Sequence, residues 1–154
     1  MMIRKLLTVV AAAGLLCSCS PGTSEQAETA KLMQTSREWS KVAASGDMNA
    51  ALAFFADDAL MLAESQPPVR GKAAIRDYLA ASSKIPGFRI EWEPLEGMVS
   101  GDLGYLIERT KVTMTGPQGR PVVLNQQALT VWRKQADGTW KNVVDMTTSA
   151  APRR

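Results

Sequence analysis

The chain has 154 residues, with 18 basic and 15 acidic side chains, 45% hydrophobic residues, two cysteines and no histidine. This length carries one domain around a single core and is too short for two of ordinary size. With no histidine, and with both cysteines near the start, neither a zinc site of ordinary composition nor a Ser-His or Cys-His arrangement can be built, so any catalysis must run on carboxylates, Tyr or Lys.

Arg4 and Lys5 open the chain, Leu6 to Leu16 form an apolar run too short to span a bilayer, and Cys17-Ser18-Cys19 follows. These features describe a secretion signal. Leu16-Cys17-Ser18-Cys19 resembles the bacterial lipobox, with a leucine three residues before, and a small serine just before, the cysteine that becomes lipidated. The resemblance implies a lipoprotein-type signal peptide over residues 1–18 and lipidation at Cys19. Ser20, where an inner-membrane lipoprotein would carry Asp, implies a periplasmic protein anchored at the outer membrane. Cys17 fits the pattern less well, and an ordinary cleaved signal peptide without lipid is the alternative. Arg4 and Lys5 leave with the leader, so the remaining charges nearly balance and no nucleic-acid surface is expected. No disulfide is left to the folded domain, whose stability must come from packing.

Residues 19–28 are small and polar and are expected to form a flexible tether, followed by one domain over 29–150 and a disordered tail over 151–154. Thr23 and Gln26 have capping-box spacing, and Leu32, Ser36, Trp39 and Ala43 recur at helical period up to a stop at Gly46. Asp47 caps a second short helix, expected to run through Phe54 and Phe55 and to end at Ala56-Asp57-Asp58. A brief apolar strand, Ala59 to Ala63, precedes the break at Pro67-Pro68. Gly71 opens a third helix in which Ile75, Tyr78, Leu79 and Ser82 share a face.

Phe88, Ile90 and Trp92 alternate with Arg89, Glu91 and Glu93, the period of a strand with one buried face, and Pro94 places a bulge or an edge. Another strand runs from about Gly104 to Thr115. Leu124 to Ser149 then reads as two long strands folded back at Asp137-Gly138. Helices followed by a run of antiparallel strands argue for an α+β domain, with the helices on one face of a curved sheet and a concavity between them.

Ser45-Gly46-Asp47, Phe55-Ala56-Asp57-Asp58-Ala59, Arg70-Gly71-Lys72-Ala73-Ala74-Ile75, Val131-Trp132-Arg133-Lys134 and Asp137-Gly138-Thr139-Trp140-Lys141, in that order, resemble the NTF2-like (nuclear transport factor 2) superfamily, closest to its SnoaL-like and DUF4440 branch. The resemblance covers about Gln26 to Ser149. It implies a cone of three N-terminal helices and a strongly curved antiparallel sheet enclosing a cavity, often dimeric through the sheet. Its members include isomerases, cyclases, dehydratases and transport adaptors, so chemistry must be argued from the site.

Asp145 stands among Val143, Val144 and Met146, where a carboxylate is costly unless paired or facing a wet cavity. It resembles the late acidic residue that SnoaL-type cyclases use as acid or base, and a structural carboxylate is the alternative. Glu64 lies near the place where ketosteroid isomerases carry their proton-abstracting Asp, but Ala63 occupies the nearer position, and an exposed Glu beside Pro67-Pro68 is the preferred reading. Glu108 would bring a second carboxylate to the pocket if it points inward. The outward placement, paired with Arg109 or Lys111, is the commoner fate of a strand glutamate and is slightly favoured. Trp39, Met61, Tyr78, Trp92 and Gln127 complete the candidate ligand contacts, with Asn125 of the same standing, although most large aromatics at such spacing are core. The methionines are scattered, which argues for gap-filling and against a copper site. No metal and no cofactor is expected.

The sequence therefore reads as an envelope lipoprotein whose NTF2-like domain binds a small apolar molecule. A carboxylate-dependent isomerase or cyclase using Asp145 is one alternative, and a homodimeric structural or assembly module is another.

Overall fold

The computed structural model describes residues 23–150. The leader, Cys19 and the four residues of the expected tail lie outside the described residues. The elements run α1 (Thr23–Ala44), α2 (Met48–Leu52), β1 (Phe55–Leu62), β2 (Val69–Arg70), α3 (Lys72–Ser82), β3 (Arg89–Ser100), β4 (Leu103–Thr115), a 3-10 turn (Pro117–Gly119), β5 (Pro121–Lys134) and β6 (Trp140–Ser149). The six strands form one sheet in the order β2-β1-β6-β5-β4-β3, with β1 and β6 parallel and the other neighbours antiparallel. The α+β architecture matches the expectation, with three helices against a curved sheet that does not close.

Helix α1 begins earlier than its composition suggests, since residues 23–28 are helical where a tether was expected. Glu28 pairs with Lys134 of β5 at 2.8 Å, which ties this end of the helix to the sheet. The body of α1 lies along β3, an edge strand. The Thr29 hydroxyl accepts the amide of Val99, and the Ser40 hydroxyl accepts that of Trp92. An edge strand left with open amides is a template for unwanted pairing, and the helix closes it with side-chain oxygens. Gly104 permits the close approach, because a Cβ there would stand 2.7 Å from the Leu32 side chain.

The second helix is shorter than its apolar run implies. Asp47 caps it, its carboxylate accepting the Ala50 amide at 2.9 Å, but it ends at Leu52. Phe55 enters β1 opposite Asn142 of β6, whose amide donates to the Phe54 carbonyl. Tertiary pairing overrides local helical preference here. The β5–β6 hairpin turns as expected: Gly138 has φ +82°, and the Asp137 carboxylate accepts the Thr139 amide.

The core is centred on Trp39 of α1. Its ring stands edge-on to Trp92, Phe55 and Trp132, with centroids at 4.6, 5.0 and 5.4 Å, and is stacked on Phe54 at 6.1 Å. Helix and sheet thus meet through aromatic edges and faces. Replacing the hub leaves a void that four neighbouring rings cannot fill by small shifts. Trp39→Ala is expected to lower unfolding free energy by about 3–5 kcal/mol, read by denaturant unfolding.

Candidate functional site

Between the helices and the concave face of the sheet lies a cavity of about 660 Å³. Its walls are mostly apolar and include Trp39, Phe55, Met61, Phe88 and Trp92. Which strand residues face it follows from the period of two, which bulges interrupt on β3 and β6. On β4 and β5 the even-numbered residues point inward, among them Leu106, Glu108, Thr110, Ala128 and Thr130. On β3 the register slips between Pro94 and Glu96, so Trp92 and Pro94 face inward before the bulge and Gly97 and Val99 after it. On β6, Trp132 pairs with Asn142 but Val131 pairs with Val144, which leaves Val143 as the extra residue of a second bulge. Asn142 is inward, and beyond the bulge the inward set becomes Asp145, Thr147 and Ser149. Were Val143 paired in a regular ladder, the same face would carry Val144, and Asp145 would lie outside.

Most of the sequence-level candidates converge on this space. Trp39, Met61, Glu64, Tyr78, Trp92, Glu108 and Asp145 all line it. Gln127 does not: it is exposed on the outer face, and its neighbour Gln126 lines the cavity instead. Asn125 is likewise exposed. The outward placement favoured for Glu108 is also corrected. Its side chain is only 2% exposed and faces inward, because it shares parity with Leu106 and Thr110. Glu64 sits exposed at the mouth, where its carboxylate accepts the Ser149 amide at 2.7 Å and the Ser149 hydroxyl.

Glu108 survives burial because donors surround it. The Ser36 hydroxyl of α1 donates to its carboxylate and in turn accepts the Trp92 indole N–H at 3.0 Å. From β5, the Thr130 hydroxyl accepts the Trp132 indole N–H at 2.9 Å and also favours the charged form of Glu108. Burial nevertheless outweighs these donors and, with the nearby charge of Asp145, pushes the Glu108 carboxyl up to about 7. Asp145 lies opposite Met61 on β1 and Thr130 on β5. Among the described residues no hydrogen-bond donor supports its charge, and desolvation alone pushes its carboxyl up to about 6. The wall therefore holds two carboxyl groups that exchange protons near neutrality, with the Asp145 charge opposing ionisation of Glu108.

Ser36 and Thr130 were not singled out as site residues from sequence. A serine within the apolar stripe Leu32, Trp39 and Ala43 was the available signal for Ser36. Thr130 carries no such mark until the sheet register is known. No lysine or arginine among the described residues lines the cavity, so a phosphorylated cofactor or other anion meets no counter-charge there. Among the described residues no group of three His, Cys, Asp or Glu side chains is placed to hold a metal ion.

Both raised carboxyl groups bind protons more tightly folded than unfolded, so their contribution to stability is greatest at acid pH and is lost as pH rises. For Glu108 the window runs from the ordinary 4.5 to about 7. Glu108→Gln is expected to flatten the decline of unfolding free energy across that window by roughly 3 kcal/mol, measured by urea unfolding at a series of pH values.

A family model described as the SnoaL-like domain matches residues 36–143. No curated protein matches the sequence. Among solved structures, a ketosteroid isomerase-like protein from Erwinia carotovora atroseptica superposes with a TM-score of 0.69 at 21% identity, over 81% of this chain and 96% of the other. An NTF2-like protein of unknown function from Pseudomonas putida gives 0.68 at 16% identity, over 81% and 88%. An NTF2-like superfamily protein from Salmonella enterica serovar Typhimurium gives 0.70 at 12% identity, over 82% and 94%. At these identities the likeness is one of fold. The family match spans the cavity-forming elements from α1 into β6, and the chain belongs to the SnoaL-like domain family, with an NTF2-like fold.

Proposed function

We propose that this domain binds a small, largely apolar molecule inside its cone, and does so as an exported protein held at the outer membrane by a lipid on Cys19, within the DUF4440 branch of its superfamily. The observation that carries the binding reading is the cavity itself: about 660 Å³, walled by aromatic and aliphatic side chains, with a few polar groups converging from β4, β5 and β6. The envelope address rests on Arg4, Lys5, the apolar run to Leu16 and the cysteine at position 19.

The outer face of the sheet supports a homodimer. Ile107 pairs with Leu129, and Leu129 with Met146, so one apolar row crosses three strands, and the latter two residues are each 41% exposed. A second row joins Met98, Tyr105, Val131 and Val144. Native mass spectrometry of the chain purified from a bacterial periplasm tests both readings together. The expected spectrum is a dimer carrying a retained small-molecule mass, whereas a bare monomer at micromolar concentration would count against both.

A second reading is acid-base catalysis, supported by Asp145, a carboxyl in an apolar wall with no hydrogen-bond donor among the described residues and pushed up to about 6. As an isomerase, it would abstract the proton α to a carbonyl with ionised Asp145 and return it from the same group. Conversion of a β,γ-unsaturated ketone to its conjugated isomer should then accelerate as pH rises through about 6 and be largely lost in Asp145→Asn. Full turnover by that variant would end the catalytic reading.

A further inference from the structure

The charge balance of the cavity narrows what it can hold. Its ionisable acids are Asp145, Glu108 and, at the mouth, Glu64, and among the described residues no basic side chain faces them from any wall. Glu64 is engaged by the Ser149 amide and hydroxyl, and Glu108 by the Ser36 hydroxyl. Asp145 has neither: it is half-buried, lines the cavity, and has no donor among the described residues. Neither Asp145 nor Glu108 forms an ion pair with any described residue. A carboxylate left without a donor in an apolar wall is costly, and a donor carrying positive charge would satisfy it best. The same cavity is lined by Trp39, Trp92, Tyr78 and Phe88, aromatic rings of the kind whose faces attract cations, and Met61 stands opposite Asp145 on the neighbouring strand.

Building on the reading of the cavity as a small-molecule site, we propose that its ligand is an organic cation, an apolar body carrying a protonated amine, with the ammonium group set against Asp145 and Glu108. The arrangement suits this class on physical grounds. Dehydration of Glu108, and part of that of Asp145, has already been met during folding, which lowers the cost of pairing them with an incoming ammonium. The hydroxyl donors on Glu108 fix one carboxylate in place, and the bare Asp145 provides the open acceptor. An anionic ligand would meet like charge with no compensation, and a neutral one would leave the charge of Asp145 unbalanced.

The other charged or titratable groups near the pair are few. Tyr78 faces the cavity from α3 and Glu64 from the segment after β1, while Glu93 of β3 turns outward onto Arg37 at 2.9 Å. Helix α1 offers Trp39 and Ala43, helix α2 Met48 and Ala51, and β5 Leu124, Gln126 and Ala128, all uncharged. Ionisation of Asp145 and Glu108 therefore governs how a cation is received.

The test compares 1-naphthylmethylamine with its neutral near-isostere 1-naphthalenemethanol by isothermal titration calorimetry on the full chain. Near pH 8 the amine should bind at least about tenfold more tightly than the alcohol, and near pH 5, with both carboxyl groups protonated and the amine still charged, the advantage should shrink to about twofold or less. Asp145→Asn should lower the amine-to-alcohol ratio near pH 8 by about threefold or more, with ionised Glu108 retaining the remainder, and the pH series on the unaltered protein tests the same point if that variant fails to fold. Alcohol binding equal to or tighter than amine binding near pH 8 would overturn the cation proposal while leaving the small-molecule reading standing. Binding of neither probe would overturn the reading of the cavity and the proposal together.

Discussion

Glu108 is a carboxylate almost wholly withdrawn from water in the middle of β4, a strand paired on both sides, and the surrounding structure is arranged to tolerate it. Ser36 reaches it from α1, and Thr130 supports its charge from the next strand. Each hydroxyl is itself oriented by an indole N–H, from Trp92 and Trp132 respectively. The two indoles flank Trp39, so the polar network and the aromatic hub share their members. A shift of α1 along the sheet would remove the Ser36 donor and open the aromatic contacts at once. Networks of this kind define one arrangement of helix on sheet because a partly satisfied version is worse than none.

The same arrangement explains why an open volume persists. The sheet is bent by the bulges at Leu95 on β3 and Val143 on β6, which turn the strands around the helices. Large side chains gather where α1 meets the sheet, around Trp39, Phe55 and Trp132. Elsewhere the lining includes Ala63, Ser65, Ser82, Thr147 and Ser149, small side chains that leave the space between the walls unfilled. The cone thus has a packed end and an open end, with the two titrating carboxyl groups in its wall. A carboxyl in such a place holds its proton near neutrality, a property that serves proton transfer and cation capture alike.

Much of this organisation was legible along the chain. The α1 stripe of Leu32, Ser36, Trp39 and Ala43, the cap at Asp47, the alternation through Trp92, the break at Pro94 and the turn at Asp137-Gly138 each have a local cause, and each occurs in the structure. Phe54 and Phe55 did not read correctly. As letters they continue a helix, and only the parallel partner β6, some ninety residues later, draws Phe55 into a strand and donates an amide to the Phe54 carbonyl. Glu108 was legible as a mid-strand carboxylate but not as a buried one, since strand glutamates usually face water and its compensating hydroxyl lies on a helix 72 residues away. Gln127 and Gln126 are neighbours of the same type, and nothing local says which of them is inside.

Sequence by itself therefore determined the element types, the α+β class, the exclusion of histidine-based chemistry and the presence of Asp145 in an apolar strand. These depend on composition and on periodicities that act over a few residues. Tertiary structure alone decided which face each strand presents, because side-chain direction alternates at every residue and a single bulge reverses it for the remainder of the strand. Val143 is that residue on β6. Its place as the unpaired position, set by how β5 and β1 grip the strand from either side, puts Asp145 rather than Val144 into the cavity, where burial moves its carboxyl up to about 6.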